Sequence, residues 1–185
     1  MELKFEELPY QLDAVNAVTN LFAGQPNHTR AFDLTSWGTG RFVGNGLDLD
    51  SETLGRNLNA VQKQNGQPET KIGEHGRNFS LEMETGTGKT YVYLRTIYEL
   101  NRRYGWKKFV IVVPSVPIRE GVLKSLEIMK AHFDGVFGRP VMRYAEYSSG
   151  RLSDLRAFAV NDHIEILVIN IQSFEKDGNV INKVN

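Results

Sequence analysis

Residues 83 to 90 read Met83-Glu84-Thr85-Gly86-Thr87-Gly88-Lys89-Thr90, two glycines spaced by a threonine and followed by a cation and a hydroxyl. Gly86 and Gly88 have no Cβ, so the backbone there can turn successive N–H groups inward around an anion. Lys89 supplies positive charge for the β- and γ-phosphates of a nucleotide, and the Thr90 hydroxyl is an oxygen ligand of the kind Mg²⁺ prefers. The chemistry these residues suit is phosphate binding. The full phosphate-loop pattern asks for glycine where this chain has Met83, but the core from Thr85 to Thr90 is kept.

The flanking elements must position that loop. Phe79, Leu81 and Met83 alternate with Ser80, Glu82 and Glu84, the period of a short strand. From Gly88 onward Tyr91, Leu94, Ile97, Tyr98 and Leu100 recur at helical spacing. A helix that begins at the glycines adds its unpaired amides and the positive end of its dipole to the phosphate site. A glycine-rich turn that binds nothing has no need of either flank.

Further along, strands and helices alternate. Lys108 to Val113 is a β-branched run ended by Pro114, which reads as a parallel strand buried on both faces. Pro117 to Phe133 carries Ile118, Val122, Leu126, Met129 and Phe133 at steps of three and four, a crossover helix with proline in its first turn. Val141 to Tyr147 and Ile164 to Ile169 read as two more strands with a weaker helix, Ser153 to Val160, between them. Near the start, Leu8, Leu12, Val15, Val18 and Phe22 form one face of an amphipathic helix over about residues 8 to 22. The expected fold is α/β, a mostly parallel sheet flanked by helices, with the phosphate loop at a strand's carboxyl end.

Between Gly24 and Gly76 the pattern breaks down. Nine of the seventeen glycines fall there, so a Gly- and polar-rich insertion or loop is expected over residues 24 to 77, with a small hairpin near Trp37 to Phe42. Its Gly38-Thr39-Gly40-Arg41-Phe42-Val43-Gly44 stretch resembles a dinucleotide fingerprint only superficially, because its last glycine is one place late and no helix is expected after it.

Composition excludes several classes. There is no cysteine, hence no disulfide framework or thiolate metal site. His28, His75, His132 and His163 have no ligand-like spacing. No apolar run approaches the roughly 18 residues of a membrane span, and the first residues lack the pattern of a signal peptide, so a soluble, cytoplasmic protein is expected. Net charge is zero, yet from Arg95 to Arg151 eleven basic residues face five acids. That local excess suits either a phosphate backbone or a solvated surface, and charge alone does not choose.

Several stretches together resemble a known family: residues 83 to 93, Tyr98-Glu99-Leu100, Tyr104 to Phe109, and Val113-Pro114-Ser115-Val116-Pro117-Ile118-Arg119-Glu120-Gly121-Val122. The sequence is similar to the restriction (Res) subunit of type III restriction-modification enzymes, which are superfamily 2 helicase-like ATPases. The similarity is dense from about residue 79 to 133. It thins towards both ends, where it takes in Leu8-Pro9-Tyr10-Gln11 and Ile169-Asn170-Ile171-Gln172-Ser173-Phe174.

The resemblance implies a RecA-like P-loop NTPase domain, a three-layer α/β/α fold, over residues 1 to 185. Its cofactors would be ATP and Mg²⁺, held by Gln11, Thr85, Gly86, Thr87, Gly88, Lys89 and Thr90, with Lys89 as the catalytic cation and Thr90 on the metal. Gln11 matches the family's adenine-recognising glutamine, since a carboxamide can donate to and accept from adenine's N6/N7 edge. Tyr10 or Phe5 would either contact the base or serve as an apolar residue at the helix start. Ser115 and Arg119, with Gln172 and Ser173, match backbone-gripping motifs, which would bind DNA phosphates without reading bases. The modification (methyltransferase) subunit is the implied protein partner.

Hydrolysis also needs an Asp-Glu pair at a neighbouring strand's end, and that dipeptide is absent: the strand near Ile166 to Ile169 runs into Asn170. The chain is therefore expected to be the N-terminal piece of a longer protein, with an incomplete first motor domain, weak nucleotide binding, little or no hydrolysis, and a sheet edge prone to pairing with another copy. The alternatives are another superfamily 2 DNA or RNA helicase domain, or a nucleotide-binding module without catalysis.

Overall fold

A computed structural model of the chain describes residues 5–27, 32–33, 42–72 and 77–175. They divide into two units, one made of residues up to 27 with 47–104, the other of 28–46 with 105 onward.

The first unit is helical: α1 (Pro9–Asn20), α2 (Ser51–Gln64) and α3 (Lys89–Tyr104). Proline at the start of α1 costs nothing, because the first N–H groups of a helix have no internal partner. Ala14 and Val15 of α1 pack on Val92 of α3, with Met83 against the same cluster. At the far end of α3, the Tyr104 hydroxyl donates to the Thr19 carbonyl at 2.9 Å, and Phe22 meets the Tyr104 ring edge-on.

α2 lies inside the segment that its glycines and polar residues mark as irregular. Its sequence carries local signals of its own: the Asp50 carboxylate accepts from Thr53 N–H at 2.7 Å as an N-cap, and Glu52 pairs with Arg56 one turn on. Leu54 is fully buried, and the Asn57 amide donates to the Leu21 and Ala23 carbonyls just beyond α1, satisfying acceptors a helix end leaves open. The rest of the 24–77 insertion has no further helix among the described residues. His28, His75, the 38–41 stretch and most of the hairpin suggested near Trp37 to Phe42 lie outside them.

The second unit holds two sheets. β1 (Phe32–Asp33) and β2 (Val43–Gly44) form a two-residue antiparallel pair. β3 (Lys108–Val113), β4 (Met142–Glu146) and β5 (Ile164–Asn170) form a parallel sheet in the order β3-β5-β4, connected through α4 (Val116–Phe137) and α5 (Leu152–Val160), with a short α6 (Gln172–Glu175) after β5. The two crossovers run in opposite directions across the sheet, and right-handed connections then put their helices on opposite faces. On one face Ile166 and Val168 stand in register with Phe109 and Ile111 of β3, and Ile164 with Met142 of β4; α4, which buries Val122, Leu126 and Phe133, packs on all three strands. On the other face Leu167, Ile169 and Tyr147 pack with Leu155 and Phe158 of α5.

Two expectations need correction. β3 is not buried on both faces: it is an edge strand, and Val110 and Val112 remain 50% and 48% exposed, because α5 covers β5 and the end of β4 but not β3. The strand buried on both faces is β5, the middle one. Residues 79–83 are not a strand either, since alternation makes a strand only where a neighbour supplies ladder hydrogen bonds, and none is formed there. The start of β3 gains a side-chain substitute for a neighbour: the Asn45 amide accepts from Lys107 and Lys108 N–H and donates to the Lys108 carbonyl.

Candidate functional site

The glycine loop ends where α3 begins, as its spacing requires. Gly86 and Gly88 have φ of +83° and +86°, backbone that side chains rarely adopt. Thr87 closes the turn through its hydroxyl, which donates to the Glu84 carbonyl at 2.6 Å. The Lys89 ammonium donates to the Met83 and Glu84 carbonyls, both at 2.6 Å. Thr90 lies in the first turn of α3 and bonds the Tyr93 hydroxyl; burial raises the pKa of that phenol and the Thr90 bond opposes the rise. Thr85 and Gly86 are exposed at the loop's crest.

α1 brings Gln11 to this loop from 76 residues away. Its Nε2 donates to the Thr87 carbonyl at 2.9 Å, and the Tyr10 hydroxyl donates to the same oxygen at 3.3 Å. A Cβ at position 88 would overlap the Gln11 amide, so that glycine is required twice, by its φ and by its neighbour. Gln11, Gly86, Thr87, Gly88, Lys89 and Thr90 therefore form one constellation. The donor set suits a nucleotide phosphate: positive-φ glycines, a helix start, one ammonium and two threonine hydroxyls. Mg²⁺ would fall to Thr90, and no cluster of three or more His, Cys, Asp or Glu side chains able to hold a metal occurs among the described residues.

Sequence motifs give no hint of the Glu7–Arg95 pair behind this loop. Phe5 stacks on Tyr91 with ring centroids 6.2 Å apart, and Arg95 donates to Glu7 at 2.6 Å and to the Tyr91 hydroxyl at 2.7 Å. Phe5 thus rests on α3 beside the loop. The available signal was an arginine one turn after Tyr91, on the buried face of α3.

In the second unit, the loops after β3 and β5 meet. Ile171 N–H donates to the Val113 carbonyl, and Gln172 Nε2 donates to the Pro114 carbonyl at 2.9 Å. Ser115 occupies the N-cap position of α4 with extended backbone, but its side chain makes no capping bond, leaving the hydroxyl free of that role. Ser173 follows in α6. Arg119 is committed to carboxylates: it pairs with Glu146 at 2.7 Å and Glu120 at 2.9 Å, and its side chain is only 17% exposed. Ser115 and Gln172 are thus brought together at the carboxyl ends of neighbouring parallel strands, where sheets of this kind place ligands. Arg119 is turned instead towards the end of β4.

No helix among the described residues is long and apolar enough to cross a membrane.

Comparison with known proteins gives one consistent answer. The Res subunit of the type III restriction-modification enzyme EcoP15I of Escherichia coli is 34% identical over 144 residues, covering 75% of this chain and 14% of that protein. The EcoPI Res subunit of Escherichia phage P1 is 34% identical over 143 residues with the same coverage. The StyLTI Res subunit of Salmonella typhimurium is 41% identical over 75 residues, 40% of this chain and 8% of its own length. The chain thus spans about a seventh of the EcoP15I and EcoPI subunits. The family described as "Type III restriction enzyme, res subunit" matches residues 4–184, and its domain has the RecA-like helicase-type fold, of which the parallel β3-β5-β4 sheet is part. A match over nearly the whole chain, with relatives of one kind, places this chain in the family of type III restriction enzyme res subunits.

Proposed function

We propose that this chain is the nucleotide-binding part of an ATP-driven motor that acts on DNA within a cytoplasmic type III restriction enzyme. The observation that carries the reading is the joining of Gln11 to the glycine loop through the Thr87 carbonyl. It sets an amide able to read adenine against the loop suited to phosphates. Thr85 to Thr90 would hold the phosphates, Lys89 would neutralise charge on the β- and γ-phosphates, and Thr90 would serve Mg²⁺. Bound Mg·ATP would supply the phosphoryl group whose hydrolysis drives movement. The chain's own contribution here is to bind and orient, because it has no Asp-Glu pair to activate water.

Ser115, Arg119, Gln172 and Ser173 are the residues we assign to the DNA backbone, and Arg119 would reach a phosphate by exchanging it for its partners Glu120 and Glu146. Residues 1–185 are read as the N-terminal part of the motor domain, 24–77 as an insertion containing α2, and the modification subunit as the partner of the whole enzyme. Family membership favours this reading over another superfamily 2 helicase.

The test is a calorimetric titration of the chain with Mg·ATP and Mg·GTP, repeated on Lys89→Ala and Gln11→Ala, with phosphate release followed in the same samples. The expected result is ATP binding lost in Lys89→Ala, an ATP preference lost in Gln11→Ala, and no phosphate release. Equal affinity for the two nucleotides would refute Gln11 as the base reader, and turnover would refute the missing carboxylate pair.

A further inference from the structure

Arg95 is an expensive residue where it stands. Its side chain is 8% exposed on the inner face of α3, a position otherwise occupied by Tyr91, Leu94 and Tyr98. A buried guanidinium is tolerated only when it is paired and hydrogen-bonded, and an apolar side chain of similar volume would often serve stability as well or better. Glu7 at 2.6 Å and the Tyr91 hydroxyl at 2.7 Å provide that pairing. Burial works against the charge of Arg95, but the bonds to Glu7 and Tyr91 outweigh it and leave its pKa raised.

What this pair holds is the arm that leads into α1. The arm touches α3 through Phe5 on Tyr91 and Glu7 on Arg95. Immediately after it, Leu8 opens α1 with no side-chain cap, while its carbonyl accepts from Gln11 and Leu12 N–H. The entry into α1 therefore has no local capping side chain, and the arm's contacts on α3 are what steady its first turn, while Ala14, Val15 and Thr19 hold the rest of α1 on α3. Tyr10 and Gln11 sit in that first turn, with both side chains on the Thr87 carbonyl.

We propose that Glu7 and Arg95 are a positioning pair for base recognition, holding the first turn of α1 so that the Gln11 carboxamide faces an adenine while the glycine loop holds the phosphates. The inference rests on the nucleotide site proposed above. Hydrogen bonds weaken steeply outside about 2.7–3.2 Å, so a small swing of α1 removes base reading. Phosphate binding stays, because Gly86, Gly88 and Lys89 take their positions from the loop and α3, not from the arm.

The experiment titrates the full chain and its Glu7→Gln and Arg95→Met variants with Mg·ATP, Mg·GTP and base-free Mg·tripolyphosphate, alongside thermal melts. Glu7→Gln is the milder variant, since it removes a charge at a 43% exposed side chain without changing volume. The expected result is an ATP-over-GTP preference reduced about fivefold or more in both variants, the scale of a lost two-bond base contact, with tripolyphosphate affinity unchanged. A preference kept in both variants overturns the proposal. So does tripolyphosphate affinity falling in step with ATP affinity, because the pair would then support the whole fold. A wild-type chain that binds neither ATP nor tripolyphosphate refutes instead the nucleotide site on which the proposal stands.

Discussion

Replacing Gly88 by alanine should cost more than replacing Gly86, and the structure says by how much and why. Both glycines have φ above +80°, so alanine at either meets the same backbone penalty of about 1–2 kcal/mol. Around Gly86 an added Cβ has nothing within 4 Å, so the penalty ends there. At Gly88 the new Cβ would fall closer than 3.0 Å to the Gln11 amide nitrogen, with Gln11 Cδ at 3.5 Å. Gln11 can swing aside only by giving up its 2.9 Å bond to the Thr87 carbonyl, a loss of about 0.5–1.5 kcal/mol. Gly86→Ala should thus destabilise by about 1–2 kcal/mol and Gly88→Ala by about 1.5–3.5 kcal/mol. Urea unfolding with unchanged m-values measures both. Adding Gln11→Ala to each variant completes a double-mutant cycle, in which the coupling should be about 0.5–1.5 kcal/mol with Gly88 and near zero with Gly86. Equal costs for the two glycines, or no coupling between Gln11 and Gly88, would refute the contact and with it the placing of Gln11 on the loop.

Leu54→Ala should lower stability by about 2–5 kcal/mol in the same urea assay, since Leu54 is fully buried; a loss below about 0.5 kcal/mol would mean that α2 is not packed. The Asp50 carboxyl is held below the usual aspartate value by the Thr53 backbone N–H first and the Thr53 side chain second. Its stabilising share is therefore complete above about pH 3.9 and is lost as pH falls through the lowered folded value. Thermal melts of Asp50→Ala should show a lower midpoint than wild type at neutral pH and a gap that closes under acid; a gap constant down to the acid limit would contradict the cap. Val112→Lys should change stability by no more than about 1 kcal/mol, whereas Val168→Lys should exceed about 4 kcal/mol or abolish folding. Comparable losses would contradict β3 as the edge strand and β5 as the centre.

The glycine loop was legible because its geometry is local: the glycines, Lys89 and Thr90 sit within five residues, and the positive φ of Gly86 and Gly88 follows from residue type. Helices α1, α3, α4 and α5 and strands β3, β4 and β5 were legible for the same reason, since apolar periodicity reports the face each element buries. α2 was passed over because glycines and amides outweighed the short Leu54, Leu58 and Val61 stripe, although Asp50 and the Glu52–Arg56 pair marked its start. Partners lay beyond periodicity. The β-branched run of β3 reads like a central strand, but only the order β3-β5-β4 decides that it stands at the edge and leaves Val110 and Val112 open. Alternation at 79–83 could not become a strand without a neighbour to bond it. Arg119 reads as a free cation until the end of β4 brings Glu146 to it, and Arg95 reads as helix surface until Glu7 arrives from 88 residues away. Local composition determined which groups could do chemistry; long-range packing decided which of them meet, because contacts across so many residues are set by the whole fold and leave no spacing in the sequence.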